Sequence, residues 1–502
     1  MTVDPVELQL ILGALRATCE EMGAVLIRSA HSANIKERRD ASTALFDATG
    51  EMVMQAEHIP VHLGAMPAAV AAVRDEAHAP DRAWVLNDPY KGGTHLPDIT
   101  VITPVFAGAE AGAAGGAAHG ELLGFAACRA HHADVGGPTP GSMPADSRTL
   151  ADEGVVIEPQ PLDEAAIARL VAQMRQPSQR RADLRAQLAA NRVGAQRLQQ
   201  LAERVGLATL RAAMTEVLDY AERRTRACIA ALPDGVRTAR DVLEGADGDL
   251  ELTLTATVDG ERLTLDFSHS ALQHDGNLNC PLAVTRSACY FAARVLTDPD
   301  IPPSAGTYRP IEVIAPEGSL LNARAPAAVV AGNVETSSRV ADLVLAAFGR
   351  ALGQGTMNNL TLGDDAFTYY ETLGGGQGAC PDADGPSGVH VAMSNTLNTP
   401  IEALELEFPL RVTEYALRRG SGGGGRFRGG DGVVRELEAL APMAYSLLTE
   451  RRRHPPAGVD GGGPGALGRN LLDGRELTPK ARGSLNPGQR LRIETPGGGG
   501  QG

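Results

Sequence analysis

Glycine sets the first limit on what this chain can fold into. It recurs in runs at Gly374 to Gly378, at Gly420 to Gly425 and beyond Gly461, and the sequence closes on Gly497-Gly498-Gly499-Gly500. Each glycine in a helix interior costs about 1 kcal/mol relative to alanine, so these stretches read as turns among short strands. The last of them, residues 496–502, reads as a disordered tail. With 58 Gly and 32 Pro among 502 residues, the composition predicts many turns and loops and argues against a helical bundle.

A chain of this length exceeds what one hydrophobic core usually supports, so two or more lobes are expected. The net charge of -15 argues against an extended phosphate-binding surface, because nucleic-acid binders rely on clustered Lys and Arg. No apolar run approaches the roughly 20 residues needed to span a bilayer, and the start Met1-Thr2-Val3-Asp4-Pro5 lacks the pattern of a signal peptide. Cys19, Cys128, Cys228, Cys280, Cys289 and Cys380 show no CxxC spacing, which fits reduced thiols. A cytoplasmic protein is therefore expected, with neither nucleic acid nor membrane as a partner.

Apolar residues at helical spacing from Val6 to Arg28 predict a long first helix, and a second helical region runs from Asp183 to Ala231. Ala44 to Asp47 and Met52 to Gln55 read as a hairpin, and Trp84 to Leu86, Ile99 to Phe106 and Leu122 to Ala130 as strands. The Ala/Gly-rich stretch from Ala107 to Gly120 reads as a solvated connector. Leu250 to Val258 and Arg262 to Phe267 form a second hairpin about Asp259-Gly260, and Leu343 to Ala351 reads as a helix. The expected architecture is mixed α+β and multi-lobed, with antiparallel hairpins, long amphipathic helices and a glycine-rich, strand-containing C-terminal half. Its divisions are an N-terminal lobe at 1–180, a helical segment at 181–235, a β-rich lobe at 236–495 and the tail.

Ligand-type side chains concentrate in Asn87 to Gly93, in Thr94-His95-Leu96-Pro97-Asp98 and in His131-His132-Ala133-Asp134. If Ile99 to Phe106 pairs antiparallel with Leu122 to Ala130, His95 and Asp98 meet His131, His132 and Asp134. Imidazoles and carboxylates without thiolates suit a divalent ion such as Zn, Mn or Fe. Such an ion lowers the pKa of bound water and polarises a carbonyl, which is what amide hydrolysis needs. Neighbouring strand residues point to opposite faces, so one of His131 and His132 is expected to be a ligand and the other a supporting group.

His58 and His62 are weaker candidates, because Pro60 makes their loop irregular and His-x-x-x-His is zinc-specific only on a helix. The acidic and basic cluster Lys36-Glu37-Arg38-Arg39-Asp40, with Lys36 and Arg39 as its substrate-binding candidates, reads either as a contact for anionic substrate groups or as a solvated surface. No GxxxxGK[ST] loop occurs, so ATP is not expected to bind this chain alone. The stretch Gly385-Pro386-Ser387-Gly388-Val389 fails the nucleophile-elbow pattern at its last position, and Cys280 reads more simply as a core residue.

Whole strings carry a resemblance. Asn34 to Asp40, His58 to Met66, Asn87 to Asp98, Arg129 to Gly137 with Pro140 to Pro144, Gly332 to Val340, Gln354 to Asn359, Tyr370 to Gly376 and Arg428 to Gly432 resemble B-type subunits of the hydantoinase B/oxoprolinase family. The resemblance implies a division of labour. An A-type subunit would bind ATP and activate a small cyclic amide by phosphorylation, and the B-type chain would complete its hydrolysis within a hetero-oligomer. Acetone and acetophenone carboxylases are related, so a subunit of an ATP-dependent ketone carboxylase is the alternative, and a noncatalytic scaffold is another.

Carried over position by position, the resemblance implies that His95, Asp98 and His131 or His132 hold the metal, with Asp88 and Asp134 as nearby ligands or bases. It also implies a substrate-facing wall that includes Asn333, Glu335, Asn358 and Glu371. The competing reading of that wall is that polar side chains on glycine-rich loops serve as turn caps.

Overall fold

The computed structural model describes residues 4–80, 82–108 and 120–502 of the chain. The connector expected from Ala107 to Gly120 lies outside the described residues at 109–119.

The first sheet carries the site. Its strands are β1 (Ala41–Asp47), β2 (Met52–Glu57), β3 (Ala83–Leu86), β4 (Asp98–Phe106), β5 (Leu122–His131) and β6 (Gln160–Leu162). They run in the order β2-β1-β5-β4-β3-β6, each antiparallel to its neighbours. The β1–β2 hairpin and the β4–β5 pairing follow the alternation read from sequence. In β4–β5 the register sets Asp98 opposite His131 and Ile99 opposite Ala130.

Both faces of this sheet are buried, and the pleat divides the strand residues between two cores. Leu45, Ile99, Val101, Cys128 and Ala130 pack under the helices Pro5–Ser29 and Pro177–Val205. Ala44, Phe46, Ile102, Phe125 and Ala127 face a second core that reaches Leu254, Cys280, Val334 and Met357. Burying such apolar side chains stabilises the fold by about 1.5–3 kcal/mol each. The first helix starts where Asp4 Oδ1 accepts the N–H groups of Val6 and Glu7, with Pro5 in the first turn. The second helical region breaks at Gly206, whose φ of 87° ends Pro177–Val205 and allows Leu207–Ala230 to begin.

Three further sheets form the rest of the described chain. Gly235–Glu244, Asp249–Asp259, Arg262–Asp266 and Ile311–Ile314 make a four-stranded sheet whose last pairing is parallel. Asn359–Gly363, Thr368–Glu371, Met443–Leu448 and Lys480–Leu485 make another, and five strands beginning with Leu410–Arg418 make the last. The final two sheets enclose a third core containing Leu360, Tyr369, Leu437 and Ile493. The fold class is thus mixed, with mostly antiparallel sheets.

Two expectations are corrected. The helix placed at Leu343 to Ala351 runs instead over Ser337–Ala347, is preceded by a π-helical turn Gly332–Thr336, and stops before Gly349, which takes a φ of 68°. Residues 496–502 are not a disordered tail, for Gly497 to Gly500 are buried. The N–H groups of Gly498, Gly499 and Gly500 donate to the carbonyls of Gly430, Leu352 and Gly463 at 2.9, 2.8 and 2.9 Å. In return the carbonyls of Gly498 and Gly499 accept from Gly423 and Ala379. A Cβ at Gly498 would stand 2.0 Å from the carbonyl oxygen of Gln377. Lacking side chains, the glycine runs approach one another closely enough to exchange backbone hydrogen bonds in several directions, and that compensates for the entropy their flexibility would otherwise forfeit.

Candidate metal centre

The β4–β5 register builds the centre. Asp98 opens β4 and His131 closes β5, and as directly opposed residues they project from the same face. His95 joins them from the turn before β4, where the Asp98 N–H donates to the His95 carbonyl at 3.0 Å. His95 Nε2 lies 3.2 Å from Asp98 Oδ1, and His131 Nδ1 lies 3.3 Å from the same oxygen. The two ring nitrogens are 3.2 Å apart.

This arrangement fits a divalent ion. Nitrogen and oxygen ligands at about 2.0–2.2 Å from one ion stand roughly 3.0–3.5 Å from each other. Hydrogens on both facing nitrogens would meet head-on, so at least one presents a lone pair. Their outer nitrogens, His95 Nδ1 and His131 Nε2, are buried and bond to no protein group. Placing the ring protons on the outer nitrogens leaves three lone-pair donors converging on one point.

Burial depresses the pKa of His131, with Asp98 only partly offsetting it, so the ring is held neutral, the state in which imidazole binds a metal. Burial opposes the charge on Asp98, but His95, His131 and His62 outweigh it and hold the carboxyl well below the usual carboxylate range. Asp98 Oδ2 accepts from Thr94 Oγ1 at 2.6 Å, which fixes the carboxylate and leaves Oδ1 turned inward. His62 Nε2 stands 3.5 Å from Oδ2, and His131 Nδ1 stands 4.0 Å from Asp40 Oδ2.

The cluster lines a cavity of about 20 Å³ whose wall includes Asp40, His62, Asn333, Tyr370, Thr372 and Ser394. That is space for about one water. A larger recess of about 610 Å³, lined by His58, Phe291, Gln377 and His390, adjoins it, and Ser394 borders both. Arg38 braces the wall of the smaller cavity from outside its lining. Its Nη1 donates to Asn34 Oδ1 and to the Tyr370 carbonyl, and its Nη2 donates to the hydroxyls of Thr372 and Thr396.

Several residues singled out from sequence are not brought to this cavity. His132 follows His131 and therefore faces the opposite side of the sheet, where its Nε2 meets Gln187 Oε1 at 2.9 Å under the helix Pro177–Val205. Burial lowers its pKa to about 4. Asp134 accepts from the N–H groups of Gly136 and Gly141 and pairs with Arg175 at 3.1 Å, so it closes a turn. Asp88 caps the N–H of Tyr90. Glu371 pairs with buried Arg435 at 3.3 Å and accepts from Asn398.

Lys36 and Arg39 are exposed and line neither cavity. Asn358 bridges Gln354 and Arg452. Glu335 lies behind the wall, its Oε1 accepting from the N–H of Met357 and from Asn359 Nδ2. Burial, aided by the charge of Glu450, lifts its pKa to about 7. Of the substrate-facing set, Asn333 alone lines the cavity.

Asp40 and Tyr370 line the cavity without having been singled out individually as site residues, and Arg38 stacks behind Tyr370. Asp40 ends the very string that drew attention to Lys36 and Arg39, and its place beside β1 was the available signal. His62 lines the cavity from the turn Pro60–His62, although its spacing carried no helical zinc pattern.

Two buried histidines and one carboxylate, mounted at the end of an antiparallel hairpin, form a group that could hold a metal ion. The sequence profile described as Hydantoinase B/oxoprolinase matches residues 4–502, and the chain belongs to that family. A 5-oxoprolinase 1 of Arabidopsis thaliana is 40% identical, with 99% of this chain aligned to 42% of that protein. The chain spans about two fifths of the length of such 5-oxoprolinases. A protein of Pseudomonas sp. (strain NS671) assigned as the B-type subunit of a D-/L-hydantoinase is 32% identical, covering 93% of this chain and 83% of its own length. Among solved structures, the ATP-dependent caprolactamase of Pseudomonas jessenii superimposes with a TM-score of 0.89 at 28% identity, covering 100% of this chain and 91% of that one. A nucleotide-free acetone carboxylase gives 0.88 at 17% identity over 99% of this chain and 76% of that one, which is a likeness of fold.

Proposed function

We propose that this chain is the B-type subunit of an ATP-dependent cyclic amidohydrolase, completing the hydrolysis of a small cyclic amide that an A-type partner has activated with ATP. The observation that carries this reading is the convergence of His95 Nε2, Asp98 Oδ1 and His131 Nδ1 at the wall of a small cavity, in a chain of this family. A divalent ion, Zn, Mn or Fe, held by these three would act as a Lewis acid toward the amide carbonyl and lower the pKa of water.

The protein's own residues supply the setting. Asp98 brings a fixed negative charge, two imidazoles complete the donor set, and Tyr370 and Asn333 line the one-water cavity, which would have to open toward the adjoining recess of about 610 Å³ for a ring to lie against them. A separate A-type partner in a hetero-oligomer is supported by the Pseudomonas relative assigned as the B-type half of a hydantoinase. Unbridged cysteines support a cytoplasmic location. Among the described residues no helix is long and apolar enough to cross a membrane.

The test is co-expression with an A-type neighbour, followed by metal analysis and by assay of ATP turnover with 5-oxoproline, hydantoin or a ketone. Ring opening driven by ATP and lost together with metal in His95→Ala supports the proposal. Turnover that requires bicarbonate and a ketone would establish the carboxylase alternative. Full product formation by a metal-free variant would leave the chain as a scaffold.

A further inference from the structure

Asn333 sits in a distorted piece of helix. Gly332–Thr336 winds as a π-turn ahead of Ser337–Ala347, and single π-turns concentrate at functional sites. Gly332 seats the turn, for its N–H donates to the carbonyl of Asn277 at 3.0 Å and a Cβ there would stand 1.8 Å from the carbonyl oxygen of Asn279. The hydroxyls of Thr336, Ser337 and Ser338 are engaged by the carbonyls of Leu278, Asn333 and Val334. The Asn333 side chain differs. It is 3% exposed, it lines the cavity that holds His95, Asp98 and His131, and its Oδ1 is buried without a hydrogen-bond partner. Buried polar atoms are nearly always paired, so an orphaned carboxamide oxygen in this position points to a ligand that completes it.

We propose that Asn333 reads the ring nitrogen of the cyclic amide. The inference rests on the amidohydrolase reading and adds a specificity residue to it. A small ring locks its amide cis, with N–H and C=O on one edge and the nitrogen one bond, about 1.33 Å, from the carbonyl carbon. A carbonyl carbon that reaches the metal centre from the adjoining recess, with the one-water cavity opened to receive it, would therefore bring its nitrogen to the surrounding wall. Oδ1 accepts from a ring N–H, and the same carboxamide turned over donates through Nδ2 to a ring nitrogen that has lost its hydrogen on activation. A carboxamide does not titrate, so Asn333 positions the ring and transfers no proton.

The experiment compares Asn333→Thr with Asn333→Val in the complete complex with the A-type partner. The two replacements have nearly the same shape, and one keeps a hydroxyl donor and acceptor. The readouts are lactam product formed per ATP hydrolysed, bound metal and melting temperature. The expected result is a fall in product per ATP of about tenfold for Asn333→Val, partial recovery in Asn333→Thr, and bound metal equal to wild type in both. Equal ratios in the two variants, or a loss of product that follows a loss of metal, would overturn the assignment. Should the wild-type complex open no lactam or hydantoin ring with ATP, the amidohydrolase reading itself fails. Wild-type turnover with no difference between the variants defeats the Asn333 inference alone.

Discussion

The phenol ring of Tyr370 stacks on the imidazole of His131, 4.6 Å between centroids and 10° between planes. The guanidinium of Arg38 lies 4.6 Å from the centre of the same phenol ring, and Tyr370 Oη donates to Asn359 Oδ1 at 2.6 Å. The ring thus orients a metal-ligand candidate by its face rather than by a hydrogen bond. Groups that orient ligands typically affect metal affinity by 10–100-fold. Tyr370→Leu is expected to weaken metal binding by about tenfold, whereas Tyr370→Phe, which keeps the face and loses the hydroxyl, should stay near wild type. Competition with a chromogenic chelator distinguishes the two.

Adjacent histidines should behave differently. His131→Ala removes a converging donor and is expected to abolish metal binding while the fold persists. His132→Ala strands Gln187 Oε1 under its helix, which should destabilise the fold by about 1–3 kcal/mol and leave metal content intact. Elemental analysis beside thermal melting checks both, and metal loss in His132→Ala would contradict the placement of that ring.

Glu153 provides a pH signature. It is fully buried, its Oε1 accepts from the N–H groups of Val329 and Val330 and from Ser147, and burial nonetheless lifts its carboxyl to about 8. A folded-state pKa above the unfolded one means stability that is complete below the unfolded value and is lost as pH rises toward 8. Glu153→Gln cannot ionise, so its melting temperature should gain on wild type between about pH 5 and pH 8. Parallel melting curves across that range would show that the carboxyl is not held protonated.

Two glycine-to-alanine exchanges should have opposite signs. At Gly498 a methyl group meets backbone at 2.0 Å and cannot be accommodated, so a loss of about 3 kcal/mol or more is expected. At Gly13, exposed in the first helix with nothing within 4 Å, alanine should add about 1 kcal/mol through helix propensity. Denaturant melts of the two variants beside wild type measure both.

Much of the site was legible because the pleat is a local rule. Knowing that β4 and β5 pair fixes Asp98 opposite His131 and sends His132 to the far side, so alternation alone separates two neighbouring imidazoles. Asp88 and Asp134 also carry a local signal for turn capping, since an aspartate just before a turn or a Gly-Gly pair tends to cap backbone N–H groups, and both do so here. Arg38 and Tyr370 were harder to see, because their roles come from contacts between segments hundreds of residues apart, as in the bond from Arg38 to Thr396, whereas Asp40 reaches His131 through the β1–β5 pairing. The strings around Lys36 and Asn333 marked the right neighbourhoods, yet which member faces inward depends on helix phase, and a π-turn shifts that phase where a regular period is assumed. The C-terminal glycines defeated the reading because composition counts their flexibility and not the partners they find.

The glycine lattice responds to temperature in its own way. Gly423, Gly430, Gly463 and Gly498 to Gly500 are joined through peptide groups and carry almost no hydrocarbon. Opening such a region would expose amide surface, whose hydration lowers heat capacity, where opening a sheet core exposes apolar surface that raises it. The sign of that heat-capacity change sets the curvature of stability with temperature, so the lattice bends the curve in the sense opposite to the apolar cores. One chain thus joins two materials whose temperature responses run in opposite directions.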